Sequence, residues 1–223
     1  MSQSTNSIQV SAPAVLAVDL EALKTYLKID GSDLDAEIEA ICKAAIMRLE
    51  NHVGFKFITQ TWDIFFDSFG QMSRDVWWDG SREGAIGDMF SSSTYIQLPF
   101  GRLNSVTSLV TTGDDGVDEL FNPTNYTFDS VSNSPKVSLR QGSQWPTTTL
   151  RGSNGIRVRG VFGMGAAPAN IPSDIQLAIM LTTSKMFENR GDSPSGEFFG
   201  VGGFTIPNTA QMLLMPYVHH KVG

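Results

Sequence analysis

Leu34, Ile38, Ile41, Ala45, Leu49 and Val53 recur at intervals of four, three, four, four and four residues. This spacing places all six along one side of an α-helix, as a continuous apolar stripe of about five to six turns. The stripe constrains the rest of the chain, because a helix with one apolar face must bury it against other elements. The helix is expected over residues 33–53. Ser32 or Asp33 serves as N-cap, and Asp33, Asp35 and Glu37 sit where the helix dipole favours negative charge. Gly54 supplies the stop.

Two further helices are expected to meet it. Over residues 19–30, Asp19 is a plausible cap, Leu20, Leu23 and Leu27 keep helical spacing, and Gly31 provides a left-handed exit. Over residues 172–190, Pro172 suits a first turn. There Ile175, Ala178, Ile179, Thr182 and Met186 form one stripe, and Leu177, Met180, Leu181 and Phe187 a second, so this helix is expected between other elements. A short last helix is expected over residues 209–217, ended by Pro216.

Between the helices the period changes to two. Phe57, Thr59 and Thr61 alternate with Ile58, Gln60 and Trp62, and Ile64, Phe65 and Phe66 continue the strand. Short strands are expected over residues 94–98, 117–121, 126–129, 136–140 and 156–162, with residues 102–112 as a further apolar segment. Asp114, Asp115 and Gly116 mark a tight turn. The fold class is therefore α+β: a small helical bundle of three main helices plus a short C-terminal helix, with an inserted antiparallel β-rich meander over residues 55–163. Residues 1–17 read as a flexible arm, 18–191 as the main domain, and 192–223 as a Gly-rich linker with a C-terminal binding segment. Residues 70–93 read as a long surface loop.

The 223 residues carry 16 Lys and Arg against 23 Asp and Glu, a formal charge of −7. An acidic chain is poorly suited to holding duplex DNA, which needs clustered cations. It suits a wall that DNA slides past. No apolar run reaches the roughly 20 residues a membrane helix needs, so no membrane partner is expected. The N-terminus lacks the basic and apolar regions of a signal peptide. Cys42 is the only cysteine and is expected as a small buried hydrophobe.

Catalytic patterns do not emerge. His52 falls near a helix end, and His219 and His220 adjoin each other without a partner motif; metal sites need three or four converging ligands. Residues 160–165, GVFGMG, lack dinucleotide-binding spacing and read as a glycine-rich strand end. Asp114, Asp115, Asp118 and Glu119 do not match a cation-loop ladder and read as a solvated hairpin turn. Trp77 and Trp78, near Arg74 and Arg82, could form a stacking platform, pack under their loop, or meet a partner protein. No cofactor is expected, and no enzymatic activity.

The order of these signals carries a resemblance. Two N-terminal helices lead to the strand Ile58-Thr59-Gln60-Thr61-Trp62. A β-rich middle follows, then a helix opened by Ile171-Pro172-Ser173-Asp174-Ile175-Gln176, and finally Leu213-Leu214-Met215-Pro216-Tyr217. In this the chain resembles the head–tail connector (adaptor) proteins of long-tailed bacteriophages. The resemblance implies a structural virion protein of the neck, present in the host cytoplasm during assembly. It implies a homo-oligomeric ring, typically a dodecamer, beneath the portal protein, with a tail-side connector or tail terminator protein as its other partner. The ring would extend the DNA channel, and DNA would pass without specific binding.

The same resemblance assigns candidate residues. The C-terminal segment would reach the portal or a neighbouring subunit through Leu213, Leu214, Met215, Pro216 and Tyr217; alternatively these residues cover the domain's own helices. Residues 70–93 depart from the family pattern. Trp77 and Trp78 within them are candidates for a partner contact on a different ground, that aromatic residues are costly to leave wet and are enriched at interfaces. Asp33, Asp35, Glu37 and Glu39 could line the channel, or form an ordinary solvated face. A tail-completion or baseplate adaptor protein is the alternative function, and a ligand-binding or enzymatic module a third.

Overall fold

The computed structural model describes residues 6–69, 95–189 and 206–218. The chain divides into two units, each made from two stretches of sequence. The helical unit joins Ala12–Gln60 to the described residues from Gly163 onward. The sheet unit joins residues 6–11 to the described part of Thr61–Phe162.

The helical unit contains α1 (Leu20–Leu27), α2 (Asp35–Val53), α3 (Ser173–Glu188) and α4 (Asn208–Leu214). Helix α2 packs on α3, and α3 on α4. The Asp19 carboxylate accepts a hydrogen bond from the Ala22 N–H at 3.2 Å, so the expected cap is formed. The exit of α1 differs from expectation. Lys28, not Gly31, takes the left-handed conformation, with φ 57°. The Lys28 N–H then donates to Thr25 O and the Ile29 N–H to Lys24 O, a Schellman pair that satisfies the last carbonyls. Likewise Leu34, with no side-chain hydrogen bond, is the N-cap of α2 rather than Ser32 or Asp33. Gly54 ends α2 as expected, at φ 83°.

The buried face of α2 runs Ile38, Cys42, Ala45, Ile46, Leu49 and Val53. Leu34 and Ile41 are only half-buried. Steps of four residues rotate the face by about 40° each on a 3.6-residue helix, so the buried strip is broader than the stripe read from sequence. On α3 the first expected stripe is inside: Ile175, Ala178, Ile179 and Thr182 are fully buried, joined by Thr183, with Met186 half-buried. The Thr182 and Thr183 hydroxyls donate to the carbonyls of Ala178 and Ile179, each at 2.8 Å, which allows both to sit in an apolar core. The second stripe is not fully inside. Leu177 is 40% exposed, and Met180, Leu181 and Phe187 are half-buried against the core edge. Pro172 is the N-cap rather than a first-turn residue.

Residues 55–59 do not alternate as a strand. Phe55, Phe57 and Ile58 all enter the helical core. The backbone there bonds instead to residues 164–165, with Met164 N–H to Phe57 O and Thr59 N–H to Gly165 O, both 2.9 Å. Gly163 makes this approach possible. Its φ is 144°, and a Cβ there would lie 2.6 Å from Thr59 N and Cα.

Among the described residues the sheet unit has eight strands: β1 (Asn6–Ser11), β2 (Gln60–Phe66), β3 (Tyr95–Gln97), β4 (Leu103–Thr112), β5 (Asp118–Leu120), β6 (Tyr126–Phe128), β7 (Lys136–Leu139) and β8 (Ile156–Phe162). They form a five-stranded sheet in the order β1-β2-β8-β4-β5 and a three-stranded sheet in the order β3-β7-β6. The antiparallel character holds at β1–β2, β4–β5, β4–β8, β3–β7 and β6–β7. The meander does not, because β8 lies between β2 and β4. Nor do residues 6–11 remain a free arm, since they pair with β2 in antiparallel register. The alternation of β8, buried at Ile156, Val158, Gly160 and Phe162, gives the unit its core face, completed by Ile64, Leu103 and Leu109. Asp63 on β2 takes both arms of the Arg159 guanidinium on β8 at 2.7 Å, a bidentate clamp between neighbouring strands. With four α-helices and antiparallel sheets among the described residues, the architecture is α+β.

Candidate assembly surfaces

The C-terminal candidates divide by face. In α4, Ala210 and Leu214 are fully buried four residues apart and complete the helical core. Met212 and Met215 point the other way, 75% and 70% exposed. Leu213 is half-buried against the core. The following 3₁₀ turn (Met215–Tyr217) carries an exposed Pro216 and a half-buried Tyr217. The Tyr217 hydroxyl donates to Asp174 Oδ2 at 2.8 Å, and its ring packs edge-on against Phe55. Leu214 and Tyr217 therefore hold the segment to its own domain. Met212, Met215 and Pro216 are exposed on its outer side. Sequence analysis missed Met212, although the i, i+4 pair Ala210 and Leu214 marks the opposite face.

The acidic candidates are not equivalent either. Asp33 is exposed, while Glu37 and Glu39 are half-buried. Asp35 pairs with the buried Lys24 at 2.9 Å, tying α1 to α2. Glu39 pairs with Lys43 at 2.7 Å. Helix α2 carries Asp35, Glu37 and Glu39 in its N-terminal half, and Lys43, Arg48 and His52 follow toward its C-terminal end, where the carboxylate of Glu50 is buried. Trp77, Trp78, His219 and His220 lie outside the described residues, as do residues 70–93 and 191–203.

A groove of about 520 Å³ opens beside the basic end of α2, lined by Ala44, Arg48, Asn51, His52, Met186 and Ile206. Met47, 64% exposed, lies on the same helix. In the sheet unit, the turn signal is realised as the β4–β5 hairpin. Gly116 has φ 78°, and Asp115 Oδ1 accepts from the Val117 N–H at 3.0 Å. Asp118 accepts from Thr112 Oγ1 at 2.7 Å and pairs with Arg157 at 3.0 Å. Glu119 accepts from the Thr148 hydroxyl at 3.3 Å. The carboxylates brace a turn, and Val117 and Leu120 stand out from it at 55% and 65% exposure.

One polar cluster escaped the sequence reading. Glu50, at the end of α2, is 5% exposed and Lys56 6%. Their charged atoms lie 3.3 Å apart, and Glu50 also accepts from the Phe57 N–H at 2.8 Å and the Gln60 amide at 3.2 Å. This is a closed bracket around the reversal at Gly54, without an open face for a substrate. Cys42 is buried as expected, and burial pushes its thiol up to about 11. Among the described residues, no three His, Cys, Asp or Glu side chains are grouped to hold a metal ion, and no helix is long and apolar enough to cross a membrane.

No protein-family model and no curated protein matches the chain. Solved structures do. A chain from the neck of an empty GTA particle, computed with C6 symmetry, superimposes with a TM-score of 0.70 at 18% identity, covering 97% of both chains. A chain from the neck of the native GTA particle, computed with C12 symmetry, gives 0.69 at 18% identity over 97% of both. A chain from the virion of the native gene transfer agent (GTA) particle gives 0.69 at 16% identity, covering 97% of this chain and 96% of that one. At such identities the likeness establishes the fold, which is that of chains from the neck and virion of a GTA particle, in agreement with the connector family the sequence resembles.

Proposed function

We propose that this protein is a structural, non-enzymatic component of a virion neck. Its copies form a ring under the portal protein, join the DNA-filled head to the tail, and extend the DNA channel. The observation that carries this reading is the end-to-end likeness, at TM-scores of 0.69 to 0.70, to chains of particle necks. A ring of identical copies needs heterologous contacts, with different surfaces meeting on each neighbour. A tail-side connector or tail terminator protein is the partner on the far side. The formal charge of −7 suits a conduit, because a ring multiplies every lumen-facing carboxylate and repels the phosphate backbone. Asp33, Asp35, Glu37 and Glu39 are the candidates for that wall, with the charge of Asp35 offset by Lys24 and that of Glu39 by Lys43. Met212, Met215 and Pro216 are the candidates for portal contact, since exposed methionines adapt to irregular surfaces.

The test is to mix the protein with portal-bearing, DNA-filled heads and image them by electron microscopy. A ring of added density under the portal is the expected result. A folded protein that leaves intact portals bare overturns the reading and favours a tail-completion or baseplate role.

A further inference from the structure

A closed ring requires two different surfaces of one chain that fit each other, and the described residues include a pair of matching chemistry. We infer that the β4–β5 hairpin of one copy docks into the groove beside α2 of the next. The inference rests on the ring reading above and names its subunit contact. The groove combines the Arg48 guanidinium, the Asn51 amide and the His52 imidazole with apolar Ala44, Met186 and Ile206. Lys43 and Met47 are exposed on the same helix. The hairpin presents the opposite set: exposed Asp114, Asp115, Asp118 and Glu119, with Val117 and Leu120 as apolar anchors.

Two properties suit the hairpin to this role. Its carboxylates are fixed by the Asp115–Val117, Asp118–Arg157 and Glu119–Thr148 contacts, so little side-chain freedom is lost on docking. Its apolar residues stand beside the charges, the combination of a central anchor and a polar rim that specific interfaces use. The Arg48 guanidinium in the groove also discriminates, because it attracts an acidic surface of a neighbouring copy and repels a basic one.

The test uses two single substitutions in the full chain, Met47→Cys and Val117→Cys, mixed in equal amounts on portal-bearing heads and oxidised mildly. Cys42 is fully buried and does not compete. Cross-linked dimers are expected from the mixture and not from either variant alone. Adding Arg48→Glu to the first variant should lower the yield about tenfold, and adding Asp114→Lys with Glu119→Lys to the second should restore it. Thermal unfolding of each variant establishes that it is folded. Rings seen by microscopy without the mixed cross-link overturn this contact and leave the ring reading standing. If the unsubstituted protein forms no ring on the heads, the ring reading fails and this contact fails with it.

Discussion

The Glu50 carboxylate and the Lys56 ammonium face each other at 3.3 Å with side chains only 6% and 7% exposed. Burial favours the protonated form of Glu50, and Lys56, the Phe57 N–H and the Gln60 amide oppose it; the balance leaves Glu50 above its ordinary value. The folded state therefore holds this proton more tightly than the unfolded chain. The stabilisation from that proton is complete below the unfolded value and disappears as pH rises through the raised folded value. Urea unfolding of the native protein and of Glu50→Gln across that window should show a steeper decline for the native protein. Identical profiles would remove Glu50 as the titrating group. Lys56→Met should push Glu50 higher still and destabilise the fold at neutral pH by about 3 kcal/mol.

Gly163 is a second point of sensitivity. Its φ of 144° and the 2.6 Å approach to Thr59 backbone atoms leave an added methyl nowhere to go. Gly163→Ala should cost more than about 2 kcal/mol, whereas Gly31→Ala, with φ 88° but open space around it, should cost about 1 kcal/mol. Equal losses in chemical denaturation would show that backbone strain, not crowding, sets both.

The C-terminal helix separates stability from assembly. Leu214→Ala removes a fully buried side chain and should destabilise by about 2–5 kcal/mol. Met215→Glu changes a side chain that is 70% exposed and should leave unfolding within about 0.5 kcal/mol of the native protein. If the exposed methionines meet the portal, Met215→Glu should nonetheless abolish binding to heads. Retained binding would point to another surface.

Cys42 gives a probe of the helical core. With its thiol pushed up to about 11 by burial, the reactive thiolate is scarce at pH 8. A thiol reagent should modify the folded protein at least about a hundredfold more slowly than the unfolded chain. Rapid modification under native conditions would mean that α2 and α3 open readily.

What was legible in the sequence was local. The stripe of α2 and its stop at Gly54 are written in neighbouring residues, as are the Asp19 cap and the turn at Asp115 and Gly116. Strand order was not legible, because β8 enters between β2 and β4 through pairing across more than 40 residues, which no turn signal encodes. Neither was β1: Ile8 and Val10 are too few to announce a strand in a polar segment, and only β2 gives them a partner. The pairing of Glu50 with Lys56 was not legible either, because only the reversal at Gly54 brings the two together. Among the assembly candidates, the family resemblance singled out the C-terminal segment, but only packing shows that Leu214 faces inward while Met212 and Met215 face out.

The helical unit is assembled from segments on either side of Thr61–Phe162. During synthesis, α1 and α2 leave the ribosome with the apolar face of α2 uncovered, and α3 and α4 follow only after about 100 further residues. At about 5–20 residues per second, that face waits for about 5–20 s. The sheet unit has all of its strands before then, so it can close first. The nascent chain is most exposed to aggregation, and most in need of a chaperone, in that interval.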